Sequence, residues 1–567
     1  MFSSIHNFLS GPTLRGKKAL EWLRLPDPTK SFEERRKYIT HVAPVAAASA
    51  LAPLGPLFGF NVWLIPLCLE FYGPNAVYTM RNSLVLVSFL ICNISCGFIV
   101  VLWPQFIVSY SSGVLLLWSS LQYNISLCLM SVAVANKSDV GLVLIGLLVS
   151  GPPCAVFSLG VLIKFVSWYR EIGRPTLGAG IYGAILGGWA FLFSFWGAAI
   201  ANVSVKNSFF YVAVVVFCLQ IPGIFLLRSP SELPLVADAT ENENKEAKPN
   251  GDEGSQEQIG EPDMNESNET QKEDTPDQPT LVETLRSSAT NIKIDEKEVG
   301  VKGGKVDEEA TDISPENKDK DKENETEKQD PTNKAGFEEA KIPPLSQGEI
   351  NRTGQAWIQF FTWIVTLLPG FAIKFTISPV LSALFGASLI VQSVASGAFL
   401  FVYGFARFAM ALSIGPKLSL RTAILTMTTL SPLCYFGCGA IVKVGNVGTG
   451  PMVAFIVLIC IIGGTLGAKK IFITPVCLEM WGFANLSKVT SRAMVAYMLA
   501  ALFGPLIMWN GLSQAGDIYI DPSLNTNEQQ KSQLLLYSSN SLFILGAIAC
   551  LAFFGFAFFV KPYVHRN

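Results

Sequence analysis

The sequence predicts an all-α membrane protein: twelve transmembrane helices in two six-helix bundles, joined by a long disordered insert on the cytoplasmic side. Three observations predict it. Half of the 567 residues are hydrophobic and only 15% are charged, with a mean hydropathy of +0.39, too apolar for an ordinary soluble chain. Twelve stretches approach the ~20 apolar residues that one bilayer crossing needs. Charge is also segregated. Residues 231–350 hold 33 of the 44 acids and 14 of the 42 bases, a net of −19, while the rest of the chain carries +17.

The chain divides accordingly into a cytoplasmic tail (1–40), a first bundle (41–230), the acidic insert (231–350), a second bundle (351–561) and a short cytoplasmic end (562–567). In the tail, residues 14–25 mix Arg15, Lys17, Lys18 and Arg24 with Leu20, Trp22 and Leu23. That pattern fits a helix lying on the membrane surface or a solvated basic tail. No cleaved signal peptide is expected, since no long apolar run precedes a small-residue site. The first-half spans fall near 41–69, 84–108, 111–134, 140–165, 177–201 and 209–227. The second-half spans fall near 356–377, 389–412, 422–442, 452–477, 492–509 and 534–560.

Basic residues collect in the tail, after spans four (Lys164, Arg170, Arg174), eight (Lys417, Arg421) and ten (Lys488, Arg492), and at the end. With an even number of spans this places both termini and the insert in the cytoplasm. The turn after span two has no base. Asn202-Val-Ser falls in an outward loop as a glycan acceptor pattern. The insert, rich in Glu, Asp, Lys, Asn and Pro with few aromatics, cannot bury enough apolar surface to offset chain entropy and is expected to be disordered. It reads as a tether, with regulation through its Ser and Thr and cytoplasmic partners left open.

The eleven cysteines all fall in apolar runs, and the chain has three histidines. Buried thiols, rather than a disulfide framework or a metal centre, are expected. Gly178-Ala-Gly180-Ile-Tyr-Gly183 matches the dinucleotide fingerprint. No strand precedes it and it lies inside an apolar span, so that reading fails. No catalytic triad, metal site or phosphate loop marks an enzyme, and no cofactor, metal or nucleic-acid partner is expected.

Arg407 is the residue that points to chemistry. It lies inside LIVQSVASGAFLFVYGFARFAMAL, residues 389–412. A cation at that depth costs roughly 2.5–3.5 kcal/mol on insertion scales, so it faces protein or a wet cavity rather than lipid. There it either meets an anion or serves as a packing or gating arginine. Lys469 and Lys470 lie in span ten. Adjacent helical residues point about 100° apart, so one of them at most shares a cavity with Arg407. Counted from the outer ends, Arg407 and Lys469 stand at one depth, roughly 27 Å along their helices at 1.5 Å per residue. Both lysines snorkelling to the inner surface is the competing reading. Lys374 is expected to snorkel at the outer face. Phe58, Asn61, Trp63, Tyr182 and Tyr403 complete the candidate lining, and Gly183 and Gly187 sit one turn apart as a helix-packing face.

Four stretches make the chain resemble the major facilitator superfamily, and within it the group of oxalate/formate antiporters and monocarboxylate transporters. They are GPLFGFNVWLIPLCLEFYG (55–73), the turn and glycine-rich helix from Trp168 to Gly188, FVYGFARF (401–408), and residues 463–505, where GAKKIFITPVCLEMWGFANLSK leads to LFGP. The resemblance implies a carrier working by alternating access, with a cation in span eight at Arg407. It also implies gating and helix packing by Gly178, Gly180, Gly183, Gly187, Arg170 and Arg174. Two departures stand out. The loop between spans two and three, WPQFIVSYSSG, lacks the acid and base usual there, and span eleven lacks the lysine that oxalate carriers of the group use.

The expected function is therefore transport of a small organic anion, foremost a monocarboxylate, across a plasma or organelle membrane. Arg407, Lys469, Tyr403, Asn61, Trp63 and Tyr182 are the substrate-binding candidates. A proton-coupling carboxylate would have to come from Glu70, Asp139 or Glu479, all near span ends. A carrier of a neutral or cationic solute with Arg407 structural, and a non-transporting sensor or scaffold signalling through the insert, are the rival readings.

Overall fold

The computed structural model describes residues 21–80, 82–102, 112–203, 205–228, 343–414, 419–445, 448–482, 485–516, 518–525 and 527–559. Residues 231–342 of the acidic insert, the first twenty residues of the tail, residues 103–111 and 415–418, and the C-terminal end from 560 lie outside the described residues.

The described chain is almost wholly helical. The first span, α1, joins Phe32–Leu51 to Leu54–Val62 through a 59° bend and continues as Leu64–Tyr72. The first half goes on with α2 (Leu84–Leu102), α3 (Ser112–Ala135), α4 (Asp139–Glu171), α5 (Pro175–Val203) and α6 (Val205–Leu226). A short helix, Gln347–Arg352, opens the second half with a Ser346–Glu349 capping box. Then come α7 (Gly354–Phe385), α8 (Leu389–Ser413), α9 (Leu420–Val444), α10 (Thr449–Trp481), α11 (Leu486–Ser513) and α12 (Glu528–Phe554). Ten of these are long and apolar enough to cross a bilayer alone. The bent α1 makes an eleventh and α2 is a shorter apolar helix.

The two halves repeat one packing scheme. In the first, α1 packs on α5 and α6, α2 on α4, and α3 on α4 and α6; in the second, α7 packs on α11 and α12, α8 on α10, and α9 on α10 and α12. Adding six to each helix number converts one scheme into the other. The contacts between halves obey the same rule, since α5 meets α8 and α2 meets α11. This is the internal repetition expected of a two-fold pseudo-symmetric carrier.

Prolines break the helices, and side chains take up the carbonyls they free. A proline within a helix removes one N–H and leaves the carbonyl four residues earlier without its donor. Pro153 does this to Val149, whose carbonyl accepts from Gln122 Nε2 of α3 at 3.0 Å. At the bend of α1, the Ala52 N–H turns to Ser49, and the freed Ala48 carbonyl accepts from Trp189 Nε1 at 2.6 Å. The Ser49 hydroxyl enters the ladder of α6, accepting from the Gly223 N–H and donating to the Leu219 carbonyl. Every such exchange keeps polar backbone away from lipid while tying two helices together.

The ends of the spans are held differently. Where α1 begins and α4 ends, the Arg35 guanidinium forks onto Glu171 through Nε at 2.8 Å and Nη2 at 2.7 Å, above the Trp168 ring. At the opposite, distal end the halves are clasped to each other. The Tyr78 N–H donates to the Ile518 carbonyl at 2.9 Å and the Ile520 N–H to the Ala76 carbonyl at 2.7 Å, a single antiparallel bridge pairing Val77 with Tyr519. Trp509 Nε1 adds a bond to the Thr79 carbonyl at 2.9 Å. Opposed residues of a non-hydrogen-bonded antiparallel pair have Cα atoms about 4.5 Å apart, within disulfide reach. The Val77→Cys/Tyr519→Cys pair is therefore expected to cross-link under mild oxidation, seen as a mobility shift absent from either single variant. A pair that stays reduced would mean that the loop docks elsewhere.

Candidate functional site

Three cations converge between the halves, and one ring, Tyr403 of α8, is shared by all of them. Lys374 Nζ lies 5.2 Å from its centroid, Lys470 Nζ 5.6 Å and Arg407 Cζ 5.8 Å. Phe58 of α1 closes the box from the first half, 3.6 Å from Lys374 Nζ and 5.9 Å from Lys470 Nζ. Tyr497 of α11 stands 3.8 Å from Lys470 Nζ, and Tyr182 of α5 5.7 Å from Arg407 Cζ. Phe371 faces both lysines.

Local sequence explains the convergence. On α10, Gly463, Gly467 and Lys470 are spaced four and three apart, one helical face. An added Cβ at Gly463 would meet Phe399 of α8, and one at Gly467 would fall 2.1 Å from the Tyr403 carbonyl. The face that lets α10 approach α8 therefore carries Lys470 into the box. Gly183 does the same for α5, since a Cβ there would stand 2.3 Å from Arg407 Nε. The guanidinium occupies the space that a side chain would fill.

Charge is left unbalanced. Lys374 has no exposed surface and Arg407 is 6% exposed. Lys374 Nζ and Arg407 Nε have no hydrogen-bond partner among the described residues. The ion pairs among the described residues lie elsewhere: Arg35–Glu171, Lys37–Glu33, Lys206–Glu70 and Lys531–Glu528. Removing an ion from water costs several kcal/mol, whereas each ring face returns about 0.5–2 kcal/mol. The rings offset part of that cost and leave the box electropositive, which is the setting an anion would complete.

The sequence candidates separate into three groups. Arg407, Tyr403 and Tyr182 are brought together, with Tyr182 also donating its hydroxyl to the Ser158 carbonyl at 2.8 Å. Asn61 sits beside them but is engaged in packing. Its Nδ2 donates to the Lys374 carbonyl at 2.9 Å and its Oδ1 accepts from Ser396 at 2.8 Å. Trp63 and Lys469 stand apart. Trp63 packs edge-on against Phe209 and lines a small apolar cavity of the first half with Phe89 and Tyr123. Lys469 is buried on the next face of α10, with Cys434 of α9 as its titratable neighbour. The box holds Lys470 in its stead, 100° around the helix.

Lys374 requires a correction. It does not snorkel at a membrane face, because Phe58, Phe371 and Phe375 surround its ammonium. The gating candidates also divide. Gly180, Gly183 and Gly187 face α8, whereas Gly178 packs on Tyr169. Arg170 and Arg174 are exposed at the α4–α5 turn. Glu70 pairs with Lys206, Asp139 accepts from Tyr72 and Glu479 is exposed, so none of the three enters the box. Phe371 and Tyr497 escaped sequence reasoning, which placed Lys374 at the outer face and chose Lys469 over Lys470 as the span-ten candidate. The phase of Lys470 with Gly463 and Gly467 was the signal available.

Two solved transporter structures resemble the chain. A D-xylose–proton symporter superposes with a TM-score of 0.54 at 11% identity, covering 93% of this chain and 98% of that one. A bacterial homologue of the human lysosomal transporter Spinster, inward-facing and unoccupied, superposes at 0.52 and 11%, covering 94% and 99%. No protein-family model and no curated protein sequence matches. At this identity the likeness shows the fold alone, and that fold is the major facilitator fold.

Filling the space beside Arg407 tests the packing. Overpacking a tight site costs about 1–3 kcal/mol. Gly183→Ala is expected to lower the melting temperature of the detergent-purified protein. Gly188→Ala, whose Cβ meets nothing within 4 Å, is expected to leave it unchanged. Equal melting of the two variants would mean that Arg407 does not occupy that space.

Proposed function

We propose that the protein is a secondary carrier of a small organic anion, with a carboxylate as the group it grips, working by alternating access. The observation that carries this reading is the meeting of Lys374, Lys470 and Arg407 on the Tyr403 ring. Arg407 is the primary carboxylate holder, since its planar fork matches two carboxylate oxygens. Tyr182 and Tyr403 keep the guanidinium in place through their ring faces. Monocarboxylates are the narrowest class in keeping with the resemblance of residues 401–408 to monocarboxylate carriers.

Alternating access follows from the repeat. The halves touch along α5–α8 and α2–α11, where glycines keep the surfaces smooth enough to slide. The distal clasp between residues 76–79 and 518–520 must then part in each cycle. With the termini in the cytoplasm, the orientation that the basic residues favour, the clasp lies on the outer or lumenal side. With Glu70, Asp139 and Glu479 at span ends, exchange or uniport fits better than coupling through a carboxylate.

Uptake of labelled carboxylates into proteoliposomes tests this. Truncating one partner of a buried charge pair costs 2–5 kcal/mol. Arg407→Ala is thus expected to lose about 30-fold or more in apparent affinity at 1.4 kcal/mol per tenfold, and Arg407→Lys less. Oxidation of the Val77→Cys/Tyr519→Cys pair is expected to stop uptake, and reductant to restore it. Full carboxylate uptake by Arg407→Ala would leave Arg407 a packing residue and remove the anion assignment.

A further inference from the structure

We propose that Lys374 and Lys470 form a second anion subsite beside Arg407, so that the preferred cargo is a small organic dianion rather than a monocarboxylate. The inference rests on the anion-carrier reading and specifies its cargo. Its basis is the number and placement of the cations. A single carboxylate is satisfied by the fork of one guanidinium. Two further ammonium groups share the same enclosure, Lys374 from α7 and Lys470 from α10, both within 6 Å of the Phe58 and Tyr403 centroids.

The remaining titratable groups around the three cations are Tyr182, Tyr403, Tyr497 and Cys96. None of these is a carboxylic acid, so the protein supplies no counter-charge from the described residues. Unit charges 6–10 Å apart repel by about 2–3 kcal/mol at an effective dielectric of 20. A monoanion cancels one charge of the three, whereas a dianion spanning the box answers Arg407 with one end and the lysine pair with the other.

The placement is also specific to this chain. The resemblance implies a lysine in span eleven, and Lys488, in the first turn of α11, reaches the Leu345 carbonyl instead. The second charge site is built from α7 and α10. Asn61 positions it by bonding to the Lys374 carbonyl, and Phe58 of the same helix covers the ammonium. The halves would thus be drawn together on the occupied subsite.

The test compares cargo of one skeleton and different charge. Butanoate, butanedioate and trans-butenedioate, whose two carboxylates are held apart, are offered to the full-length protein, with binding read by thermal shift and transport by counterflow in proteoliposomes. Butanedioate or trans-butenedioate is expected to bind at least about tenfold tighter than butanoate, and their relative strength reads the separation of the two subsites. Lys374→Gln/Lys470→Gln is expected to bring that ratio close to one, with each single variant intermediate. The melting curve of each unliganded variant establishes that it is folded. Butanoate bound as tightly as the dianions, or a ratio unchanged in the folded double variant, overturns the dianion subsite and leaves the carrier reading standing. No binding of any of the three compounds by the wild-type protein overturns both.

Discussion

Three basic side chains held around one aromatic ring, with no acid beside them among the described residues, are the constraint to which the rest of the structure answers. Buried charge without a partner is expensive, and a chain keeps it only where something else supplies the balance. The ring faces of Phe58, Phe371, Tyr403 and Tyr497 supply part. They are also apolar enough to exclude water, which strengthens whatever electrostatic contact remains. On the proposed reading, the box joins a high cost when empty to an attraction for a small anion.

The helical framework holds that box between the two halves, which the proposed carrier would move against each other. Glycines on α5, α8 and α10 let backbones approach to distances that a side chain would forbid. Gly183 gives its side-chain space to Arg407, and Gly467 sets the phase that turns Lys470 inward. Prolines bend α1 and interrupt α4, and the carbonyls they release become ties to α5 and α3. Binding and motion thus share residues. Asn61 tethers the first half to α7 and α8 at the residue whose ammonium is part of the site.

Much of this architecture was legible in the sequence, because hydropathy and the period of charge report what lipid demands. The spans, the separation of an acidic insert and the enclosure of Arg407 follow from transfer costs alone. Lys374 was not legible. Read as one cation near a helix end, it belongs at an interface. Only the packing of Phe58 from a distant helix makes its position interior. Lys469 and Lys470 show the same limit, since depth along α10 does not distinguish neighbours and the azimuth does. The azimuth was encoded in Gly463 and Gly467, whose role emerges only once α8 is known to lie against them. Asn61 and Trp63 have the right composition for a lining, yet the Asn61 amide bonds to α7 and α8 and the Trp63 ring packs on Phe209, contacts that no one-dimensional pattern specifies.

The measurement that bears most directly on the electropositive box is an anomalous-scattering experiment on the full-length protein with a brominated butanedioate. A bromine peak enclosed by Lys374, Lys470 and Arg407, against the Tyr403 ring, is the predicted result. A peak elsewhere with the box closed, or an acidic side chain of the protein itself filling the space between the three cations, would contradict it.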